Sequence, residues 1–431
     1  MANQKKPDGY LYSKGYTRYV FILLFLLYMF DYIDRVVVTS MFSMIEADFG
    51  ISHTKSGLLI SAVYWSIVLL TFPVSILVDR WSRSKTIGIM AILWSVATAL
   101  CALTGNFMQL FFTRLLIGTG EAGYAPGGTA MISGLYPEDK RAKMMGLWNA
   151  SIPLGTAIGM LLGGLIATHW GCWRHAFGIV ALPGLAVAIA FLFVKDYKTV
   201  DLSYSDEKHK HEKMPVKDIV NQFLNTPSLI YTYLGITAVV FVTTSLITWL
   251  ASYFMVTRGL EPGKAGTLSS SVMVLAIVGA PIGGLLADRW RKRDVKARLL
   301  FPTISTIGAA IFLSLALFFT KGTVQYIMFL CMGLLVTMFI SAASAVTQDV
   351  IHAGLRAISY AIAVVVQNLF GSSMAPIVIG RIYDKNGIDN AFTILPFVLL
   401  IGALFFYLGS RHYENDMKKV PKIELEAESA N

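Results

Sequence analysis

Residues Ser75-Ile-Leu-Val-Asp79-Arg80-Trp81-Ser-Arg83 recur, 209 positions later, as Gly284-Leu-Leu-Ala-Asp288-Arg289-Trp290-Arg-Lys292. Each copy closes an apolar run long enough to cross a bilayer. Orientation rules alone would demand Lys and Arg after such a run, but not an Asp at the same place. The repetition reads as an internal duplication that divides the chain into two halves of like design.

Outward from these copies, apolar runs near the ~20 residues that a spanning helix needs occur twelve times. Six lie between Tyr19 and Val194 and six between Leu229 and Leu408, with Tyr19 to Phe42 read as the first span and Phe107 to Leu135 as the fourth. Of the 431 residues, 55% are hydrophobic and 14% charged, against roughly 25% charged in an ordinary soluble domain. That composition excludes a water-soluble enzyme. The first run follows a polar leader, spans fully and carries charge at depth, so it does not read as a cleaved signal peptide.

The surplus of basic residues, +10 overall, is explained by topology. Counted on alternate sides of the twelve spans, 27 Lys and Arg fall with the termini and seven on the opposite side. Both termini are expected in the cytoplasm, and the motive for a nucleic-acid partner disappears. The expected organisation is an all-α, multi-pass integral protein of the cytoplasmic (inner) membrane. Residues 1–194 form one six-helix bundle, 195–228 a charged cytoplasmic linker, 229–410 a second six-helix bundle and 411–431 a tail. His209 and His211 in the linker read as solvated residues rather than metal ligands. Cys101, Cys172 and Cys331 are too few and too scattered for a disulfide framework or thiolate site.

The 6+6 pattern with its repeated loop resembles the major facilitator superfamily, whose signature reads G-x-L-A-D-R-x-G-R-[KR]. Gly284, Leu286, Ala287, Asp288, Arg289 and Arg293 match it in the second copy. Leu77, Asp79, Arg80 and Arg83 match it in the first, where Ser75 and Ser82 replace glycines. Within that superfamily, Asp31-Tyr-Ile-Asp34-Arg35, Arg114 through Glu121 and Ile152-Pro-Leu-Gly resemble the spinster-like transporters and the anion:cation symporters. The stretches Leu93 to Gly123 and Leu182-Pro-Gly-Leu are rather more spinster-like. Asp31 departs from both groups, in which Asn is typical. The resemblance implies two bundles alternating access to a midplane site, and a cytoplasmic gate of Asp79, Arg80, Arg83, Asp288 and Arg289.

Ionisable side chains at mid-bilayer cost at least about 2.5–3.5 kcal/mol and therefore mark cavities or partners. Asp31 and Arg35 are four apart and Arg114 and Glu121 seven apart, so each helix carries acid and base toward one side. A buried carboxyl resists ionisation while a nearby arginine favours it. Glu121, Asp34 and Asp31 are thus candidate proton carriers, and Arg35 and Arg114 candidate holders of an anionic group, all facing a water-filled chamber. Tyr64 and Asn149, with Thr248, Trp249, Tyr253, Gln367 and Asn368 from the second half, are candidates for contacting the substrate body; Thr and Asn there serve equally to join helices. Trp65 and Trp148 share that ambiguity. Gly155, Gly159 and Gly163 permit a close helix approach.

The expected activity is secondary transport of a small organic anion, coupled to protons and favouring symport, by a monomer with no cofactor. The alternatives are a spinster-like carrier of lysolipids or other amphiphiles, or a proton-coupled drug exporter. The exporter is disfavoured because no G-P pair stands between Met144 and Ala167. No G-x-x-x-x-G-K-[ST], H-E-x-x-H or G-x-S-x-G sequence occurs, so neither ATP-driven transport nor an enzyme is expected.

Overall fold

The computed structural model describes residues 10–196, 222–352 and 355–420, and among these it contains helices and no strands. The helices are α1 (Lys14–Val36), α2 (Phe42–Phe49), α3 (His53–Arg80), α4 (Arg83–Cys101), α5 (Phe107–Glu121), α6 (Tyr124–Leu135), α7 (Glu138–Asn149), α8 (Ser151–Trp170) and α9 (Trp173–Leu192). They continue as α10 (Pro227–Arg258), α11 (Pro262–Arg291), α12 (Ala297–Ser314), α13 (Gly322–Leu335), α14 (Ile340–Asp349), α15 (Arg356–Val366), α16 (Met374–Thr393) and α17 (Leu395–Lys419). Among the described residues, ten helical stretches are long and apolar enough to cross a membrane.

Two of the twelve expected spans take another form. The first is α1, 23 residues long, which carries Asp31, Asp34 and Arg35. Phe107 to Leu135 is broken at Ala122 and Gly123 into helices of 15 and 12 residues. The side chains of Asp79 and Arg80, the linker histidines and most of the linker lie outside the described residues, so residues 75–80 of the first copy are seen only as helix backbone, while the Ser82 hydroxyl of that copy donates to the Asp196 carboxylate at 2.5 Å.

The described residues fall into two compact units. One is drawn from Met1–Asp201, Thr243–Ile277 and Ser372–Thr393, the other from Leu202–Val242, Val278–Gly371 and Ile394–Asn431.

In the first unit, α8 lies along α1 because its glycines remove the side chains that would separate them. A Cβ at Gly155, Gly159 or Gly163 would overlap the carbonyl oxygens of Met29, Ile33 or Val37 respectively. Helix α1 stops at Val36 and tightens into a 3₁₀ turn over Val37–Met41. At the break the carbonyls of Asp34 and Arg35 accept hydrogen bonds from Arg114, and the Thr39 hydroxyl donates to the Val36 carbonyl at 2.8 Å.

The same unit contains a close seam between α3 and α16. Gly57 and Gly380 let the backbones meet, the Ser61 hydroxyl donates to the Ser373 carbonyl at 2.5 Å, and the His53 ring stacks on Tyr383 at 3.5 Å. Asp384 adds to the amino-terminal cap of α3, where Ser52 already accepts from the Lys55 backbone amide at 3.4 Å. Its carboxylate accepts from the backbone amides of His53 and Thr54 at 2.8 and 2.9 Å and from the Thr54 hydroxyl at 2.5 Å. An anion at a helix amino terminus satisfies orphan donors and opposes the helix dipole. Nearby, Asp48 accepts from Arg174 at 2.7 Å, and that bond holds its carboxyl below the ordinary range.

The second unit is tied by Asp349 at the end of α14. It accepts from the Tyr413 hydroxyl at 2.8 Å and pairs with Arg298 at 3.5 Å and Arg291 at 3.7 Å. Gly279 and Gly283 of α11 face the carbonyls of Leu334 and Met338 with no room for a side chain.

Candidate functional site

Turning 100° per residue places Tyr28, Asp31, Tyr32 and Arg35 on one stripe of α1, and that stripe faces α5 and α3. One guanidinium nitrogen of Arg35 donates to Asp31 Oδ2 at 3.0 Å and to Glu121 Oε2 at 2.9 Å. Among the described residues, the other oxygen of each carboxylate and Arg35 Nε have no hydrogen-bond partner. The same guanidinium lies over the Tyr32 ring at 4.4 Å and the Tyr64 ring at 5.4 Å, distances at which ring faces attract a cation. Two acids and two aromatic faces thus converge on a single cation.

These groups are almost closed off rather than bathed by a chamber: Arg35 is 8% exposed and Glu121 4%. A buried ion pair gains little net stability over apolar packing, because desolvation offsets the attraction. Its consequence is order, and a strong penalty when one partner is removed.

Arg114, expected beside them as an anion holder, is fully buried and turned to the backbone. Its Nε donates to the Leu59 carbonyl at 3.2 Å, and its two terminal nitrogens to Asp34 at 2.7 Å and Arg35 at 2.5 Å. It therefore joins α5 to α3 and to the broken end of α1. Asp34 lies off the Asp31–Arg35 stripe. The Thr98 hydroxyl stands beside its carboxylate as a hydrogen-bond donor.

Below the ion cluster is an aromatic wall that individual residue types did not announce. Tyr28 stacks on Trp148 at 4.4 Å and contacts Tyr32 and Tyr124 at 5.5 and 5.2 Å, while Trp94 meets Tyr124 edge-on at 5.5 Å. The Tyr124 hydroxyl and, at 3.3 Å, Trp148 Nε1 both donate to the Leu24 carbonyl. The available signal was the i, i+4 placement of Tyr28 and Tyr32 around Asp31. Asn149 is exposed and Trp65 half-buried.

The remaining candidates are dispersed. Trp249 is sealed among Phe42, Tyr383 and His53, and its Nε1 donates to the Pro376 carbonyl at 3.2 Å. Tyr253 stacks on Phe392 at 4.8 Å. The Thr248 hydroxyl is buried and has no hydrogen-bond partner among the described residues. Gln367 and Asn368 belong to the other unit, in a widened π-type turn over Gln367–Ser372, both half-buried. Arg83 is half-buried and Arg289 exposed; Asp288 pairs with Arg298 at 3.7 Å with two-thirds of its side chain exposed. No group of three or more His, Cys, Asp or Glu poised to hold a metal ion occurs among the described residues.

Comparison with known proteins bears on the whole chain. A family profile described as Major Facilitator Superfamily matches residues 24–376. "Protein spinster homolog 1" of Xenopus tropicalis is 26% identical over 430 residues, covering 93% of this chain and 82% of that protein. "Hexuronate transporter" of Bacillus subtilis (strain 168) is 26% identical over 307 residues, 71% of this chain and 72% of that protein. A crystal structure described as a bacterial homolog to human lysosomal transporter, spinster, in an inward-facing and occupied conformation superposes with a TM-score of 0.81. It has 22% identity, covering 94% of this chain and 99% of that one, and at that identity the likeness establishes the fold.

Proposed function

We propose that this chain, which belongs to the Major Facilitator Superfamily of transporters and is related to spinster and hexuronate transporters, couples the movement of a small organic anion to that of a proton. In this reading α1 and the α5–α6 pair complete twelve spans with the ten apolar stretches. Residues 1–194 and 229–410 act as the two alternating bundles, with both termini cytoplasmic, and a monomer suffices without a cofactor.

The observation that carries the proposal is the sharing of one Arg35 nitrogen between Asp31 and Glu121. The buried ionisable groups on α1 and α5 are three acids and two arginines, which leave one negative charge in excess when all are ionised. In lipid that excess favours uptake of a proton. When an anionic substrate takes Arg35, Glu121 loses its partner and accepts a proton; when the substrate leaves, Arg35 returns and the proton is released. Binding of anion and proton therefore rise together, the thermodynamic requirement for symport. Asp34 is a second proton holder, and Arg114 fixes α5, which carries Glu121, to α1, which carries Asp34. Tyr32 and Tyr64 offer faces for the substrate body.

The test is uptake into proteoliposomes. With an imposed inward proton gradient, hexuronates and other small carboxylates should accumulate above equilibrium and show counterflow. Accumulation of lysophospholipid instead would replace the substrate class, and accumulation indifferent to the gradient would remove proton coupling.

A further inference from the structure

The loop that joins α11 to α12 sorts its cations. Arg291 and Arg298 turn inward to Asp349, and Arg298 also meets Asp288. Asp294 accepts from the Lys296 backbone amide at 2.9 Å. The acids of the loop are thereby engaged, and Arg289, Lys292 and Arg293 make no side-chain ion pair or hydrogen bond among the described residues. All three nevertheless line one open surface depression of about 530 Å³ at the end of α11, together with Leu286 and Trp290. Orientation rules account for a basic loop, but not for three unpaired cations gathered around one aromatic-walled hollow.

The approach to this depression is apolar. Val278, Ile282, Leu285 and Arg289 fall at helical spacing on one face of α11 and all are exposed, Leu285 by 69%. The neighbouring face, with Gly279 and Gly283, is the one pressed on Leu334 and Met338. An exposed aliphatic ridge ending in a basic pocket with a tryptophan has the polarity of a bilayer lipid, acyl chain below and headgroup above.

We propose that this depression binds the phosphate of an anionic phospholipid of the surrounding bilayer, with an acyl chain along Val278, Ile282 and Leu285. Guanidinium and ammonium groups bind phosphate through charge-assisted hydrogen bonds, and a bound anion relieves the mutual repulsion of the three cations. The site is separate from the ion cluster on α1 and α5 and does not depend on what is transported.

Native mass spectrometry of the detergent-purified full chain, titrated with phosphatidylglycerol or phosphatidylcholine, tests it. Phosphatidylglycerol should bind the unaltered protein more tightly, and Lys292→Gln/Arg293→Gln should weaken it roughly 30-fold while leaving phosphatidylcholine adducts unchanged, which also reports correct folding. Lys85→Gln/Lys143→Gln removes as much charge from exposed positions elsewhere and should change little. Soluble glycerol 1-phosphate should compete poorly, because it lacks the acyl chain. Equal binding of the two lipids, equal loss in the control pair, or displacement by glycerol 1-phosphate at concentrations equal to those of the lipid would each overturn the proposal.

Discussion

Arg35 and Glu121 meet at 2.9 Å although 86 residues separate them in the chain. The same nitrogen also serves Asp31. Under the proposed coupling, an anion that takes this nitrogen displaces a carboxylate, and affinity for anions and affinity for protons are tied through one atom.

Glu121→Gln retains shape and hydrogen bonding but cannot carry the proton. Accumulation driven by a pH gradient should vanish while exchange of labelled for unlabelled substrate continues. Gradient-driven accumulation at the unaltered level in this variant would exclude Glu121 as the carrier.

Arg35→Ala should reduce binding of anionic substrates by about 10- to 100-fold, the cost of losing one charge-assisted partner in a dry site, and affect neutral analogues far less. Isothermal titration with a matched acid and amide pair measures the difference. Equal losses would assign Arg35 to packing alone.

Arg114→Ala should reduce stability in detergent by roughly 2–4 kcal/mol, read as a lower unfolding midpoint, since three buried carbonyls lose their donor. Arg114→Lys should restore only part of this, because a single ammonium does not reproduce the fork that reaches Leu59, Asp34 and Arg35. Full rescue by Lys would contradict a role set by guanidinium geometry.

Asp384→Ala leaves the first amides of α3 uncapped, a loss of about 1–2 kcal/mol. Hydrogen exchange at His53 and Thr54 should quicken about tenfold, with exchange in α17 unchanged. Unaltered exchange at both amides would mean that the cap contributes nothing to closing the α3–α16 seam.

Much of the site was legible because helical geometry converts spacing into direction. Asp31 and Arg35, four apart, do pair, and Arg114 and Glu121, seven apart, both reach α1. The glycines at 155, 159 and 163 did mark a close approach. What escaped reading lies mainly in the backbone. Arg114 is spent on carbonyl oxygens, which every residue possesses and no pattern singles out. The cap on the first two amides of α3 comes from Asp384, more than 300 positions away. Trp249 looked available for a substrate because periodicity cannot say which aromatic rings will enclose it.

The grip of Arg114 on α1 has an evolutionary corollary. A clamp that recognises only carbonyls is indifferent to the identities of residues 34 and 35, so substitutions there need not unfasten the helix. Under the proposed coupling, diversification of specificity is thereby separated from maintenance of the scaffold.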